Sequence, residues 1–154
     1  MKVFVDSSVF IRHFYGVEKA VNILDVLLNE HEVFVSANVI EETFFKLLFI
    51  ECENRFGKTG KYTLREMYKR HADRFENVKL YLENFILEFM RTGIIKLCNT
   101  NEEILKMSIE ISYRYSLLPN DALIAATCKY HGISKIATFD EDFARVDFLE
   151  IVKV

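Results

Sequence analysis

Apolar residues fall along this chain in short β-favouring runs separated by longer stretches with helical spacing. Val3-Phe4-Val5 is the first run, a candidate buried strand. Asp6-Ser7-Ser8 ends it and can cap a helix starting near Val9. Val17, Val21, Leu24, Leu27 and Leu28 form a helical stripe, and Val33-Phe34-Val35 reads as a second strand. Asn38 and Glu41 have capping-box spacing, which predicts a helix from there to about Cys52. Gly57 and Gly60 mark a loop over 54–61. From Tyr62 onward, residues such as Leu64, Met67, Phe75, Val78, Leu82 and Phe89 keep helical spacing as far as Gly93, as one long helix or two shorter ones. Ile94 to Leu97 is a third strand. Thr100 and Glu103 form a second capping box, opening a helix through Tyr115. Asn120 is positioned to cap a helix that carries Ala122, Ala125 and Ala126 and stops at His131-Gly132. Lys135 to Thr138 and Leu149 to Val152 complete a set of five strands. Apolar strands alternating with helices imply an α/β fold, a parallel sheet flanked by helices on both faces. In such sheets functional groups gather beyond the carboxyl ends of the strands.

Composition agrees with one globular domain over residues 1–154. The chain is 51% hydrophobic and 28% charged, with one Pro and five Gly. No apolar run approaches the roughly 20 residues needed to cross a bilayer, and an acid at position 6 comes too early for a signal peptide. A cytoplasmic protein with no membrane partner is expected. Cys52, Cys98 and Cys128 are widely spaced, an odd number without a CxxC pair, which argues against disulfides and zinc. A net charge of −3 predicts no strong non-specific attraction to nucleic acid. A nucleic-acid site would need a local basic patch or a metal.

Acids stand where the fold predicts chemistry. Asp6 follows the first strand, Glu42 lies on the first turns of the helix after the second, and Asp140 follows the fourth. Asp121 opens the helix before that fourth strand. Carboxylates sharing one pocket repel each other and lose hydration, and a divalent ion resolves that conflict. Hard oxygen ligands without a nearby His or Cys suit Mg²⁺ or Mn²⁺, which can activate water and support in-line displacement at phosphorus. Each acid also has a plainer reading: Asp6 as a helix cap, Asp121 as a first-turn acid. Glu41 and Glu42 compete for one role. The capping box accounts for Glu41 and leaves Glu42 as the better ligand candidate. Asp142 is a turn residue or a supporting member of the site. Ser7 and Thr138 can hydrogen-bond the carboxylates or serve only their local turns.

Four segments, in order, resemble the motifs of PIN domains. The opening Val3-Phe4-Val5-Asp6-Ser7-Ser8 is one, and Ser36 followed six positions later by Glu42 is another. Leu118-Pro119-Asn120-Asp121-Ala122-Leu123-Ile124-Ala125-Ala126 is the most specific, and Ala137-Thr138-Phe139-Asp140-Glu141-Asp142-Phe143 closes the set. The resemblance implies a five-stranded parallel sheet and a metal-dependent ribonuclease cutting single-stranded RNA, often the toxin of a toxin–antitoxin pair similar to VapC proteins. It implies Asp6, Glu42, Asp121 and Asp140 as the acidic set. A homodimer and a small antitoxin are its expected partners.

The helical segment at about 51–92 is longer than in the smallest toxin-type members, which leaves room for an RNA-processing nuclease outside toxin–antitoxin systems. It is rich in cations, among them Lys58, Lys61 and Arg65, with Tyr62 and Tyr68 interleaved. Such a stretch guides single-stranded RNA by charge and stacking, or is simply a solvated helix face. A phosphoacceptor receiver domain fits less well, because no acid follows the third strand at Leu97-Cys98-Asn99. A haloacid-dehalogenase-like phosphatase needs Asp-x-Asp, and position 8 is Ser8. A non-catalytic PIN-like binding module is the remaining alternative.

Overall fold

The computed structural model describes residues 1–57 and 60–152. Five strands form one parallel sheet: β1 (Lys2–Val5), β2 (Glu32–Ser36), β3 (Ile95–Cys98), β4 (Lys135–Ala137) and β5 (Glu150–Ile151). Their order is β3-β2-β1-β4-β5. The chain thus steps outward from β1 on one side, then returns to build β4 and β5 on the other. β1 is the central strand, and the crevice beside it, where the winding reverses, is the place such sheets offer to a ligand. Val3, Phe4 and Val5 have no exposed surface, which requires packing against both faces of β1. The sheet edges are short, and cross-strand ion pairs decorate them: Lys96 with Glu32 at 2.7 Å and Lys135 with Glu150 at 3.0 Å.

The helices are α1 (Ser7–Phe14), α2 (Glu18–Glu30), α3 (Ala37–Phe56), α4 (Lys61–His71), α5 (Glu76–Tyr81), α6 (Glu88–Arg91), α7 (Glu102–Tyr115) and α8 (Pro119–Tyr130). Three expected starts move. α3 begins at Ala37 after Ser36, with no side chain capping it, so Asn38 and Glu41 form no capping box. α7 is capped by Asn101, whose side chain accepts from the Ile104 N–H at 2.9 Å, and Thr100 lies outside. α8 begins with Pro119 at its first position after Leu118, so Asn120 is not the cap. Pro fits there because its φ is already helical and its missing N–H is one the helix leaves unpaired. α3 also runs four residues past its expected end near Cys52, through the start of the expected loop, and stops at Gly57, whose φ of +62° suits glycine.

The segment between α3 and β3 resolves into two helical stretches. α4 is followed by a 3₁₀ turn, Ala72–Phe75, and then by α5 and α6 joined through the π-helical turns of Leu82–Leu87. Leu64, Phe75, Val78, Leu82 and Ile86 anchor these stretches in the core. Buried Glu51 ties them to the rest of the fold. It accepts from Tyr15 Oη at 2.9 Å, Arg55 Nε at 3.0 Å and Asn77 Nδ2 at 3.0 Å. Burial alone would push its pKa up, but these donors hold it below the ordinary value. No helix among the described residues is long and apolar enough to cross a membrane.

A candidate metal centre at the end of the central strand

Asp6 emerges from β1 locked to its neighbour, its N–H donating to Ala137 O at 3.0 Å. Its side chain is 4% exposed and unequally used. Oδ2 accepts from Ser8 Oγ at 2.7 Å, Thr138 Oγ1 at 2.8 Å and the Ser8 N–H at 3.4 Å. Among the described residues Oδ1 accepts only from Ser7 Oγ, at 3.4 Å. Ser8 and Thr138 each pass on a backbone donor, since Ser8 Oγ accepts from Phe139 N–H at 3.0 Å and Thr138 Oγ1 from Asp140 N–H at 2.9 Å. The turn after β4 is thereby wired into one oxygen of Asp6, leaving the other available. Asp6 therefore caps α1 with one oxygen and keeps the other for a ligand, so the two readings of it do not compete. Thr138 supports it as expected, whereas Ser8, which the sequence reading passed over, bonds it more closely than Ser7.

Asp140 leads the 3₁₀ turn Glu141–Arg145 and accepts the Asp142 N–H at 2.9 Å. Asp142 accepts from Arg145 Nη1 at 2.6 Å, and Arg145 also donates to the carbonyls of Tyr115 and Ser116, tying this turn to the end of α7. Asp121, in the first turn of α8, accepts no hydrogen bond among the described residues. Oxygens of Asp121, Asp140 and Asp142 lie within 4.8 Å of one another. Glu42 approaches from α3. Its Oε2 accepts from Asn120 Nδ2 at 2.7 Å and its Oε1 pairs with Lys46 at 2.5 Å. Glu41, its neighbour, is exposed.

The charges of the other acids reach Asp121. The Asp121 carboxyl is pushed up to about 6, first by burial and then by the charges of Asp140, Asp6 and Glu42, with Lys46 pulling the other way. Of the four acids expected from the sequence, Asp6, Glu42 and Asp140 all lie close enough to act on Asp121, and Asp142 joins Asp121 and Asp140. The donor set is all oxygen, with one unbonded carboxylate and one half-used carboxylate facing like charges. That set fits a hard divalent cation.

Two cations stand at Phe139, the residue before Asp140. Arg12 of α1 stacks 4.0 Å from the centre of the Phe139 ring, and Lys19 stands 6.0 Å from the same ring. Neither was singled out in the sequence, because their proximity depends on how α1 and α2 pack. Of the expected RNA-contacting residues, Lys58 lies outside the described residues. Lys61 and Arg65 are exposed on α4. Lys61 reaches 5.9 Å from the Phe45 ring, three residues along α3 from Glu42 and so on the same side of that helix.

The PIN domain family profile matches residues 3–149. Ribonuclease VapC6 of Methanocaldococcus jannaschii is 42% identical over 153 residues, covering 98% of this chain and 96% of that relative. Ribonuclease VapC2 of the same organism is 35% identical over 154 residues, covering 99% and 94%. A toxin–antitoxin complex from Klebsiella pneumoniae contains a chain of the same fold, with a TM-score of 0.63 at 17% identity, covering 98% of this chain and 96% of that one. A parallel sheet wound outward from β1, acids gathered at its carboxyl end and sequence similarity along nearly the whole length have one common explanation: the chain belongs to the PIN domain family.

Proposed function

We propose that this chain is a VapC-type endoribonuclease, the toxin of a toxin–antitoxin pair, which hydrolyses single-stranded RNA with Mg²⁺ or Mn²⁺ held by Asp6, Glu42, Asp121 and Asp140. The observation that carries the reading is the cluster of Asp121, Asp140 and Asp142 oxygens within 4.8 Å of one another, with the charges of Asp6 and Glu42 also acting on Asp121. The names of the two ribonuclease relatives support the substrate class. When bound, the cation would supply a lowered pKa for attacking water and charge stabilisation at phosphorus. The chain's own residues set the stage for it. Ser8 and Thr138 hold Asp6 by Oδ2, which would leave Oδ1 for the metal. Asp142 holds the turn of Asp140 against α7 through Arg145. Arg12, Lys19 and Lys61 give a phosphate backbone an electropositive approach to an otherwise acidic site.

Two partners belong to this reading. The Klebsiella complex supports a small antitoxin. A second copy is supported by α7, where Leu105, Ile109 and Tyr113 form an exposed stripe 49–87% accessible. Pairing of two such helices about a twofold axis at Ile109 would bring the same stripe of each copy together and cover it. An apolar stripe meeting its own copy is self-complementary, as a twofold interface requires.

Cleavage of a labelled single-stranded RNA by the purified chain, with Mn²⁺ and with excess EDTA, tests the proposal. Cleavage with metal alone is expected, and it should disappear in Asp6→Asn. Metal-independent cleavage surviving in Asp6→Asn would defeat it. Metal binding without cleavage of any RNA would favour the non-catalytic alternative.

A further inference from the structure

Glu42 is aimed by residues whose side chains hydrogen-bond none of the other acids among the described residues. Ser36, the last residue of β2 and fully buried, donates its hydroxyl to Asn38 Oδ1 at 2.5 Å. Asn38 Nδ2 donates to Asn120 Oδ1 at 2.9 Å, and Asn120 Nδ2 donates to Glu42 Oε2 at 2.7 Å. Each amide accepts at its oxygen and donates from its nitrogen, so all three donors run the same way and end on the carboxylate. The line starts at the end of β2, passes through the first turn of α3 and crosses to the first turn of α8, beside Asp121.

Lys46 competes with this line. It pairs with Glu42 Oε1 one turn along α3, and its own side chain is 51% exposed while that of Glu42 is 20% exposed. An exposed i,i+4 pair is weak, yet with nothing opposing it, it would draw a flexible glutamate along its own helix and away from α8. Asn120 opposes that pull, and Asn38 keeps the Asn120 amide turned so that its nitrogen, not its oxygen, faces the carboxylate. With that amide reversed, oxygen would face oxygen and the contact would become repulsive.

We propose that Asn38 and Asn120 are positioning residues for metal binding, a directional amide relay that holds Glu42 Oε2 toward α8 and presents the carboxylate to the pocket it shares with Asp121. This rests on the metal-dependent reading above. Partners that orient a metal ligand typically change affinity or activity by about 10–100-fold when lost.

Mn²⁺ affinity measured by calorimetry on the full chain tests it, using Asn38→Ala, Asn120→Ala, the double variant and Glu42→Gln. Each single Asn variant should bind Mn²⁺ about tenfold more weakly. The double variant should bind no worse than Asn120→Ala, because Asn38 acts through Asn120 and the two effects are not additive. At saturating Mn²⁺, kcat on RNA should return close to wild type with KM unchanged, a recovery that a merely distorted fold would not give. Asn38 is partly exposed at a helix start, so Asn38→Ala alone carries the test if Asn120→Ala fails to fold. Single variants within twofold of wild-type affinity, or additive losses in the double variant, would overturn the relay. If Glu42→Gln binds Mn²⁺ like wild type, the metal reading itself has failed. If Glu42→Gln loses Mn²⁺ and both Asn variants keep it, only the relay has.

Discussion

At the scale of single residues, identity was easier to read than circumstance. Glu42 emerges from the sequence ahead of Glu41 by way of a capping box that does not exist. Tertiary contact with α8, not a cap, separates the two: Glu42 accepts from Asn120 while Glu41 is exposed. Glu42→Gln should therefore reduce RNA cleavage at subsaturating Mn²⁺ by at least about 100-fold, and Glu41→Gln should stay within about twofold, since surface changes away from such contacts have small effects. Initial rates on one RNA substrate check this, and a dead Glu41→Gln beside an active Glu42→Gln would reverse the assignment. The sequence shows Asn38 and Asn120 only as helix caps, and Ser8 only as part of a turn, for a common reason. Asn and Ser are ordinary residues of turns and helix starts, so their spacing carries no signal until tertiary packing gives them partners at positions distant in sequence.

At the scale of elements, the strands were legible because they are short apolar runs, most plainly in central β1, which is buried on both faces. Helix ends were less legible. Capping residues are abundant, and the one that wins depends on which backbone turn the preceding strand delivers. The segment after α3 divides because Phe75 enters the core through a 3₁₀ turn, a break that helical spacing alone does not mark. Two elements carry predictions. α4 places Lys61 and Arg65 in solvent, with Lys61 near the Glu42 side of α3. Changing both to Ala should weaken binding of single-stranded RNA, and each lost phosphate contact should flatten the salt dependence by about 0.7 in log–log slope. An unchanged affinity and slope would mark α4 as a solvated face. On α7, Ile109 is 62% exposed at the centre of the apolar stripe. Ile109→Glu should convert a dimer to a monomer in sedimentation or light scattering without lowering the melting temperature of the monomer. A wild-type chain that is monomeric at all concentrations would refute the α7 pairing.

At the scale of the whole molecule, the site is held together against its own charge, and stability should record it. Asp121 has its pKa raised from 3.8 to about 6. Below about pH 4 its carboxyl is protonated in both folded and unfolded chains and contributes no penalty. Between about 4 and 6 the unfolded carboxyl ionises while the folded one keeps its proton, so the native state binds more protons and stability falls as pH rises. Above about 6 both are ionised and the penalty is complete. A shift of about two units corresponds to roughly 3 kcal/mol, which solvent around this half-buried group reduces to roughly 1–2 kcal/mol. Its place in the first turn of α8 offsets about 0.3–1 kcal/mol of that. Asp121→Asn keeps the shape and removes the charge. Metal-free at pH 7.5, it should melt higher than wild type by about 2–5 °C, and near pH 4 the difference should vanish. Mn²⁺ should then reverse the ranking, because it binds the native wild type and finds a weakened ligand set in the variant. Cleavage should be poor in Asp121→Asn under every condition, a gain in stability at the expense of activity. Melting curves at both pH values, in EDTA and in Mn²⁺, measure each part. A metal-free Asp121→Asn chain that melts below wild type at pH 7.5, with no Mn²⁺ shift in either protein, would mean that the acids at the end of β1 repel too weakly to need a cation.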